Sequence, residues 1–300
     1  MSASAASRLS IWSARLPWRS LAIYTLSVVV AAYLLAPFAW LVLTSFMTEA
    51  EARSVPPHWI PEQPTVSNYL AFANPSPELR MVGSRAIQET PRALLNSALV
   101  AVSTALLNLV IATLAAYTFA RLNFRGSRLL LMTYLTSRMV PGIAIIIPFY
   151  ILMRRLGLLD THLALILSYS TFTLPFTIWI LKDYFRTIPR DLEDAARVDR
   201  CNWFGMMWRV FIPISAPGLV AAAVFAFMFA WNEFLFALFL TSTIRSKTIP
   251  IVVANFATDL DVQFTFMAAA GVLAVIPPLV LALLFQRLIV QGLAAGSVKG

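Results

Sequence analysis

Long apolar runs separated by short charged segments are the dominant pattern of this 300-residue chain. Each run approaches or exceeds the ~20 residues that an α-helix needs to cross the hydrocarbon core of a bilayer. The pattern predicts an all-α integral membrane protein with six transmembrane helices, at about residues 21–47, 93–119, 129–153, 162–181, 216–241 and 266–290. Residues 1–20 would form an N-terminal segment and residues 21–300 a single transmembrane domain.

The composition agrees with this class and removes several kinds of site. Hydrophobic residues make up 59% of the chain and charged residues only 12%, which is far from the balance of soluble domains. One cysteine and two histidines exclude a disulfide framework and an ordinary cysteine and histidine metal cluster. We therefore expect no metal site.

The basic residues predict the orientation in the membrane. Residues 1–20 carry three arginines and no acid. The run at 21–47 is too long for the apolar part of a signal peptide and lacks a clear cleavage site, so it is read as a retained first span. Six spans place both termini on one side, and this topology puts 14 basic residues there and 8 on the other side. The positive-inside rule therefore predicts cytoplasmic N- and C-termini.

Prolines predict that the six helices are not all straight and continuous. Residues 48–92 form a proline-rich segment on the outer side, where a long helix is not expected. Within the spans, Pro141, Gly142 and Pro148 are expected to break the third helix, and Pro175 the fourth. Unwound backbone is tolerated inside a membrane where it lines a cavity, so these positions indicate one.

A charged segment, residues 188–200, interrupts the apolar pattern between the fourth and fifth spans. Asp191 is expected to cap a short helix, with Asp194 three residues on as in a capping box. One face of this helix would combine small and apolar residues with one acid, at Leu192, Ala195, Ala196 and Asp199. A helix this short is not stable alone in water. It must therefore dock against another surface or lie on the membrane.

The motifs that would indicate an enzyme are absent. No Gly-x-x-x-x-Gly-Lys-Ser/Thr loop occurs among the ten glycines, so any ATP, with its Mg, must be bound by a partner. The Gly-x-Ser-x-Gly, His-Glu-x-x-His and Gly-x-Gly-x-x-Gly patterns are also missing. The sequence predicts no catalytic residue, no cofactor on this chain and no nucleic-acid partner.

The segment from Glu193 to Pro213 resembles the cytoplasmic "EAA" loop of ABC-importer permeases. That family has Glu-Ala-Ala, then a glycine after three residues, then Ile-x-Leu-Pro. The corresponding residues here are Asp194-Ala195-Ala196, Arg200 and Val210-Phe211-Ile212-Pro213. Arg200 and Cys201 replace the usual Gly-Ala, which is expected to alter the turn after the first coupling helix.

The resemblance extends to the carbohydrate-uptake branch, in particular to the maltose-type second permease subunit. Four further segments carry it, Leu156 to Thr161, Leu174 to Phe176, Trp231 to Phe234 and Gln286 to Gly300. It implies the type I ABC importer permease fold in a bacterial inner membrane, and a subunit that imports a sugar, oligosaccharide or polyol. The implied partners are a second permease subunit, a homodimer of ATP-binding subunits and an extracytoplasmic solute-binding protein.

The resemblance also implies two contacts with the ATPase. The coupling loop, residues 182–213, would enter a cleft of an ATPase subunit through Leu192, Glu193, Asp194, Ala195, Ala196, Asp199 and Arg200. The C-terminal tail, residues 291–300, would lie along the ATPase dimer through Gly296, Ser297, Val298, Lys299 and Gly300. Glu193, Asp194 and Asp199 would orient the loop against basic groups of the partner. Closure of the dimer would then move the flanking spans and alternate the access of a midplane cavity.

Two ionisable residues lie within predicted spans, Arg138 in the third and Glu233 in the fifth. Charged groups at this depth are costly and usually face a cavity or each other. We expect both to lie on the translocation path with Trp231 and Asn232, which would offer a sugar a stacking and a hydrogen-bonding surface. A direct Arg138–Glu233 salt bridge and separate snorkelling of the two groups both stay open, as does a packing role for Trp231.

Three other functions are weighed against the sugar importer. The first is a non-sugar importer of the same superfamily, which the carbohydrate-type tail disfavours. A secondary transporter working alone is the second, and it should show internal repeats, which are not found. The third is an intramembrane enzyme, which the missing catalytic motifs disfavour.

Overall fold

The computed structural model describes residues 18–74, 85–122, 124–257 and 262–297. These parts of the chain are helical, with one isolated β-bridge between Ala257 and Val262. In chain order the helices are α1 (Trp18–Ser45), α2 (Glu49–Ala52), α3 (Ser67–Ala73), α4 (Arg85–Arg121), α5 (Ser127–Thr136), α6 (Gly142–Arg155), α7 (His162–Arg186), α8 (Asp191–Val198), α9 (Trp203–Met206), α10 (Ile212–Ile214), α11 (Ala216–Trp231), α12 (Leu235–Leu240), α13 (Ile249–Ala254) and α14 (Phe264–Ser297). A 3₁₀ turn, Ser137–Met139, follows α5, and a π-helix, Met207–Phe211, joins α9 to α10.

Four of the described helices are long and apolar enough to cross a bilayer alone, and two bent helix pairs raise the number to six. The four are α1, α4, α7 and α14. The bent pairs are α5 with α6, and the helical segment 203–214 with α11. The all-helical, multi-span architecture predicted from the apolar pattern is confirmed.

The third predicted span is broken where its sequence indicated. Between α5 and α6 the chain bends by 97°, and Pro141, which has no N–H to donate, immediately precedes α6. Two other prolines do not act as predicted, since Pro148 and Pro175 lie inside α6 and α7. A proline inside a membrane helix removes one backbone hydrogen bond, and neighbouring helices can compensate for that loss.

The fifth predicted span is also broken, at residues 232–234, where no proline or glycine marks a break. Helix α11 ends at Trp231 and α12 begins at Leu235. The carboxylate of Glu233 supports the new start, because its two oxygens accept the N–H groups of Phe236 at 2.9 Å and Ala237 at 3.2 Å. The break therefore depends on an acidic side chain within the span.

Buried apolar side chains form two clusters along the bundle. One joins the end of α4 and α7 to Ile188, Ala196 and Phe211; we call this the charged-loop end, because residues 187–214 lie there. The other joins the beginnings of α4 and α7 to α12, α13 and α14. Between them, Asn108 of α4 donates a hydrogen bond to the Thr173 hydroxyl of α7, a polar link suited to helices packed in lipid.

Asp160 organises the far end of the bundle, between α6 and α7. Its carboxylate accepts the N–H groups of Ser242 and Thr243 at 2.9 and 3.0 Å and the hydroxyls of Thr243 and Ser246 at 2.6 and 2.5 Å. Asp160 has a left-handed backbone with φ of 58°, and its N–H donates to the Leu240 carbonyl at 2.8 Å. This loop therefore fixes the segment that follows α12. Burial alone would raise the pKa of Asp160, but the hydrogen bonds from Ser246, Thr243 and Ser242 outweigh burial and hold the pKa well below its ordinary value.

We expect Asp160→Asn to lower the free energy of unfolding at pH 7 by about 2 kcal/mol, because hydrogen bonds to a charged acceptor are lost or weakened. A lowered folded-state pKa stabilises the protein above the ordinary carboxyl pKa, and that contribution is lost as pH falls toward the folded value. The difference in the free energy of unfolding between Asp160→Asn and wild type should therefore become smaller below about pH 4. Thermal unfolding in detergent between pH 3.5 and pH 7 measures it, with the exposed Asp191→Asn as the control. Equal stability of Asp160→Asn and wild type at pH 7 would contradict this account.

Candidate functional site

The short helix α8 begins without the predicted side-chain cap. Its cap position is Arg190, whose backbone is already helical, and no side chain accepts a hydrogen bond there. The Arg190 carbonyl accepts the N–H groups of Glu193 and Asp194 at 2.8 and 3.1 Å, so the helical turn starts one residue earlier than expected. The prediction of Asp191 as the cap and Asp194 as its capping-box partner is therefore wrong. Both acids still lie in the first turn, where the helix dipole favours negative charge.

A buried ion pair attaches α8 to the end of α4. Arg121 Nε lies 2.5 Å from Glu193 Oε1, and both side chains are only 7% exposed. A second nitrogen of Arg121, Nη2, donates to the Ile188 carbonyl at 2.6 Å. Arg121 thus binds both the helix and the turn that leads into it. From the sequence, Arg121 counts only among the basic residues of the cytoplasmic side, and this role is not predicted.

Aromatic side chains also pack around Arg121. Its guanidinium lies 5.3 Å from the centre of the Phe211 ring, a favourable cation–π geometry. Phe211 in turn meets Tyr117 and Phe185 edge to face, at centroid distances of 4.9 and 5.5 Å. The π-helical residue Phe211 therefore brings the second half of the 187–214 segment against the same arginine. Asn202 caps this second half, accepting the Gly205 N–H at 2.7 Å.

Helix α8 has an inner and an outer face. Glu193 and Ala196, three residues apart, are buried at 5% and 7% exposure. The outer face carries exposed side chains, three of them apolar, at Leu192, Asp194, Ala195, Val198 and Asp199. Two predictions about individual residues change. Ala196 does not share the exposed face with Ala195, and Glu193 forms its ion pair with Arg121 of its own chain.

Arg200 keeps the backbone shape that a glycine would favour. Its φ is 55°, in the left-handed region that non-glycine residues rarely adopt. The Cys201 N–H donates to the Ala196 carbonyl and the Arg200 N–H to the Arg197 carbonyl, each at 3.0 Å. This is the pair of hydrogen bonds of a Schellman motif, with Arg200 at the position where glycine usually stands. The turn after α8 therefore has a shape that glycine usually supplies, and the backbone of Arg200 adopts it at a conformational cost.

We expect Arg200→Gly to stabilise the protein by about 1 kcal/mol, since glycine adopts φ > 0 without the steric cost of a side chain. Val198→Gly is the matched control, because Val198 is exposed and lies in the right-handed last turn of α8. That control should lose about 0.5 kcal/mol from helix propensity alone. Thermal unfolding of the two variants gives the comparison. Destabilisation by both would show that the Arg200 side chain contributes more than its backbone costs.

A cavity of about 560 Å³ opens between the third, fourth and fifth spans. Arg138, Asn232 and Glu233 line it together with aromatic side chains, so the structure brings three of the four predicted path residues to one place. The Arg138 guanidinium lies 5.4 Å from the centre of the Phe176 ring and 5.8 Å from that of Phe229. Asn232 donates from its side-chain nitrogen to the Met228 carbonyl at 2.8 Å.

Trp231 differs from the other predicted path residues. It is 3% exposed, stacks on Phe227 at 5.5 Å and donates from its indole nitrogen to the Ala274 carbonyl of α14 at 3.0 Å. Of the two roles left open for Trp231, sugar contact and packing, the packing role is therefore the one observed. Arg138 and Glu233 form no ion pair within 4.0 Å in the described part of the chain, although they line the same cavity.

The predicted C-terminal contact lies at the end of α14. This helix continues without interruption to Ser297, so Gly296 and Ser297 are helical. Val298, Lys299 and Gly300 lie outside the described residues. Over the described ranges, no group of three histidine, cysteine, aspartate or glutamate side chains is arranged to hold a metal ion.

Comparison with known sequences identifies the family. Residues 108–295 match the binding-protein-dependent transport system inner membrane component family. The chain belongs to this family. It is thus a multi-pass inner-membrane permease of the ABC type, which agrees with its apolar helices.

Several relatives of this permease cover most of its length. The sulfoquinovosyl glycerol transport system permease protein SmoH of Agrobacterium fabrum is 36% identical over 89% of each chain. The trehalose/maltose transport system permease protein MalG of Thermococcus litoralis is 33% identical over 91% of this chain and 95% of its own. The trehalose transport system permease protein SugB of Mycobacterium tuberculosis is 42% identical over 69% of this chain and 77% of its own.

The fold of the permease is also similar to a solved structure. A crystal structure of a bacterial ABC transporter involved in the import of the acidic polysaccharide alginate contains a chain that superposes with a TM-score of 0.76. That match covers 90% of this chain and 96% of the other, at 20% sequence identity. At this identity the comparison supports the ABC importer permease fold alone.

Proposed function

We propose that this permease is one of two membrane subunits of an ATP-driven, binding-protein-dependent importer of a sugar, oligosaccharide or polyol. The relatives named for trehalose, maltose and sulfoquinovosyl glycerol support the carbohydrate class. The observation that carries the coupling role is the two-sided construction of α8. One face is fixed to the membrane helices by Arg121 and Glu193, and the other leaves Leu192, Ala195 and Val198 exposed.

This construction suits the transfer of movement from an ATPase subunit. The partner subunits, not this chain, would bind ATP and Mg. An ATPase cleft would receive the outer face of α8, where small Ala195 allows close approach and Asp194 and Asp199 meet basic groups. A force on α8 would reach α4 through Arg121, and it would reach α7 and α11 along the backbone. Rigid-body movement of these helices would then open the cavity to one side of the membrane at a time.

Three further contacts with partner proteins complete the proposed assembly. The end of α14, with Gly296 to Gly300, would lie along the ATPase dimer, and the cytoplasmic placement of both termini would bring it there. The second permease would cover the exposed mouth of the cavity that contains Arg138. A solute-binding protein would dock at the far end, near the segment that Asp160 fixes.

Reconstitution of the complete importer in proteoliposomes tests this function. Uptake of a labelled saccharide should require the solute-binding protein outside and ATP at the side that carries the ATPase. Transport that continues without the ATPase subunits would indicate a secondary transporter instead. ATP-dependent uptake of an amino acid or a peptide, but of no saccharide, would indicate a non-sugar importer.

A further inference from the structure

Arg138 is a cation in a predicted span that the described residues do not neutralise. In the described part of the chain no carboxylate lies within 4.0 Å of its guanidinium, and its neighbours are the rings of Phe176 and Phe229. Helix α5 has ten residues, which span about 15 Å, so Arg138 follows a helix about half as long as a ~30 Å hydrocarbon core. An arginine at the centre of a membrane costs about 3 kcal/mol even on lenient scales. A counter-charge from outside the chain would remove much of that cost.

Glu233 does not supply this counter-charge, although it lines the same cavity. Its two carboxylate oxygens accept the N–H groups of Phe236 and Ala237 at the start of α12. Hydrogen bonds from backbone N–H groups compensate a carboxylate, as at a helix N-terminus. The cavity thus holds one acid whose oxygens are occupied by backbone N–H groups, and one guanidinium that donates no hydrogen bond to the described residues.

The other polar groups of the cavity are weaker donors. The hydroxyls of Thr173 and Thr177 donate to backbone carbonyls of their own helix at 2.7 and 3.0 Å. The Asn232 nitrogen is used at the Met228 carbonyl, which leaves its amide oxygen to accept from a hydroxyl. The walls are otherwise aromatic, with Phe225 and Phe234 among them. Such rings suit the apolar faces of a sugar, and 560 Å³ is within the range of small-molecule sites.

We propose that the solute is an anionic saccharide whose carboxylate or sulfonate binds Arg138 during passage. Its hydroxyl groups would meet the Asn232 oxygen and its ring the phenylalanine side chains. The planar guanidinium can bind such an oxyanion through two parallel hydrogen bonds. The aromatic rings on which Arg138 lies hold it in place while leaving its edge open. This inference rests on the proposed import of a saccharide and names the class of that saccharide.

The test uses the complete importer in proteoliposomes, with matched neutral, uronate and sulfonate forms of the same mono- and disaccharides. Wild type should take up an anionic form in preference to its neutral counterpart. Arg138→Gln should reduce anion uptake at subsaturating solute by at least about tenfold, since one hydrogen bond to a charged group is worth that much. Arg138→Lys should retain part of it. Arg154→Gln, an exposed arginine at the end of α6, is the matched control and should transport as wild type does.

Each other outcome has a distinct meaning. Preferential uptake of neutral saccharides, unaltered in its selectivity by Arg138→Gln, would overturn the inference and leave the proposed import of sugars standing. An equal loss of neutral and anionic uptake in Arg138→Gln would also overturn it, because it would indicate that Arg138 pairs with an acid of the second permease. Failure to transport any saccharide, with ATPase activity intact, would instead contradict the proposed function itself.

Discussion

Glu193→Ala is expected to destabilise the permease by about 3–5 kcal/mol, because it leaves the buried guanidinium of Arg121 without its counter-charge. The expected loss is large because both side chains are 7% exposed. The same substitution frees α8 from α4, so transport by the assembled complex should fall much further than the ATPase activity of the ATP-binding subunits. Thermal unfolding in detergent and uptake in proteoliposomes give the two readouts.

A double substitution separates loss of the ion pair from loss of a charge. Glu193→Leu together with Arg121→Met replaces both partners by apolar groups, and such replacements of buried pairs are often neutral or stabilising. We expect the double variant to be more stable than either single variant, with a favourable coupling energy in the cycle. Its transport should recover only if apolar packing also keeps α8 attached to α4.

Asp194→Ala provides the control for stability. Its side chain is 69% exposed and lies 3.6 Å from Arg197 in a surface pair, so its removal should change the free energy of unfolding by no more than about 1 kcal/mol. Similar losses of stability in Asp194→Ala and Glu193→Ala would contradict the claim that the buried ion pair of Glu193 with Arg121 stabilises the protein. Full transport activity in a well-folded Glu193→Ala variant would contradict its role in coupling.

The sequence predicts the membrane class and the broken third span well. Both depend on strong local signals, namely apolar runs of span length and the Pro141-Gly142 pair, which no tertiary contact has to supply. The break in the fifth span has no such signal. It depends on Glu233 reaching the N–H groups of Phe236 and Ala237, a contact made only once the backbone is already unwound.

The orientation of α8 shows a second limit of sequence reasoning. Spacing alone groups Ala195 and Ala196 on one side of α8. A periodic pattern does not show how the helix is rotated about its axis, so it does not show which of the two alanines is buried. That rotation is set by Arg121, 72 positions before Glu193 in the chain, and a long-range ion pair leaves no local pattern. The one available signal was the excess of acids in α8 beside an arginine at the end of an apolar span. Asp160 was likewise visible only as part of a family-like segment, and not as the hydrogen-bonding centre of the far end.

The exposed face of α8 provides the most direct test of the coupling role. Ala195 is exposed and Ala196 is 7% exposed, so two adjacent alanines of equal size point in different directions. Cysteine at position 195 should therefore reach a partner that occupies the outer face, and cysteine at position 196 should not. The single native cysteine, Cys201, is first replaced by serine so that it cannot react.

The decisive measurement is disulfide cross-linking between these positions and cysteines placed in the ATPase cleft of the assembled importer. We predict a cross-link from Ala195→Cys whose yield changes between the nucleotide-free and ATP-bound states, and little or none from Ala196→Cys. No cross-link from Ala195→Cys in any nucleotide state, in a complex shown to be assembled, would contradict the claim that α8 couples the ATPase to this permease.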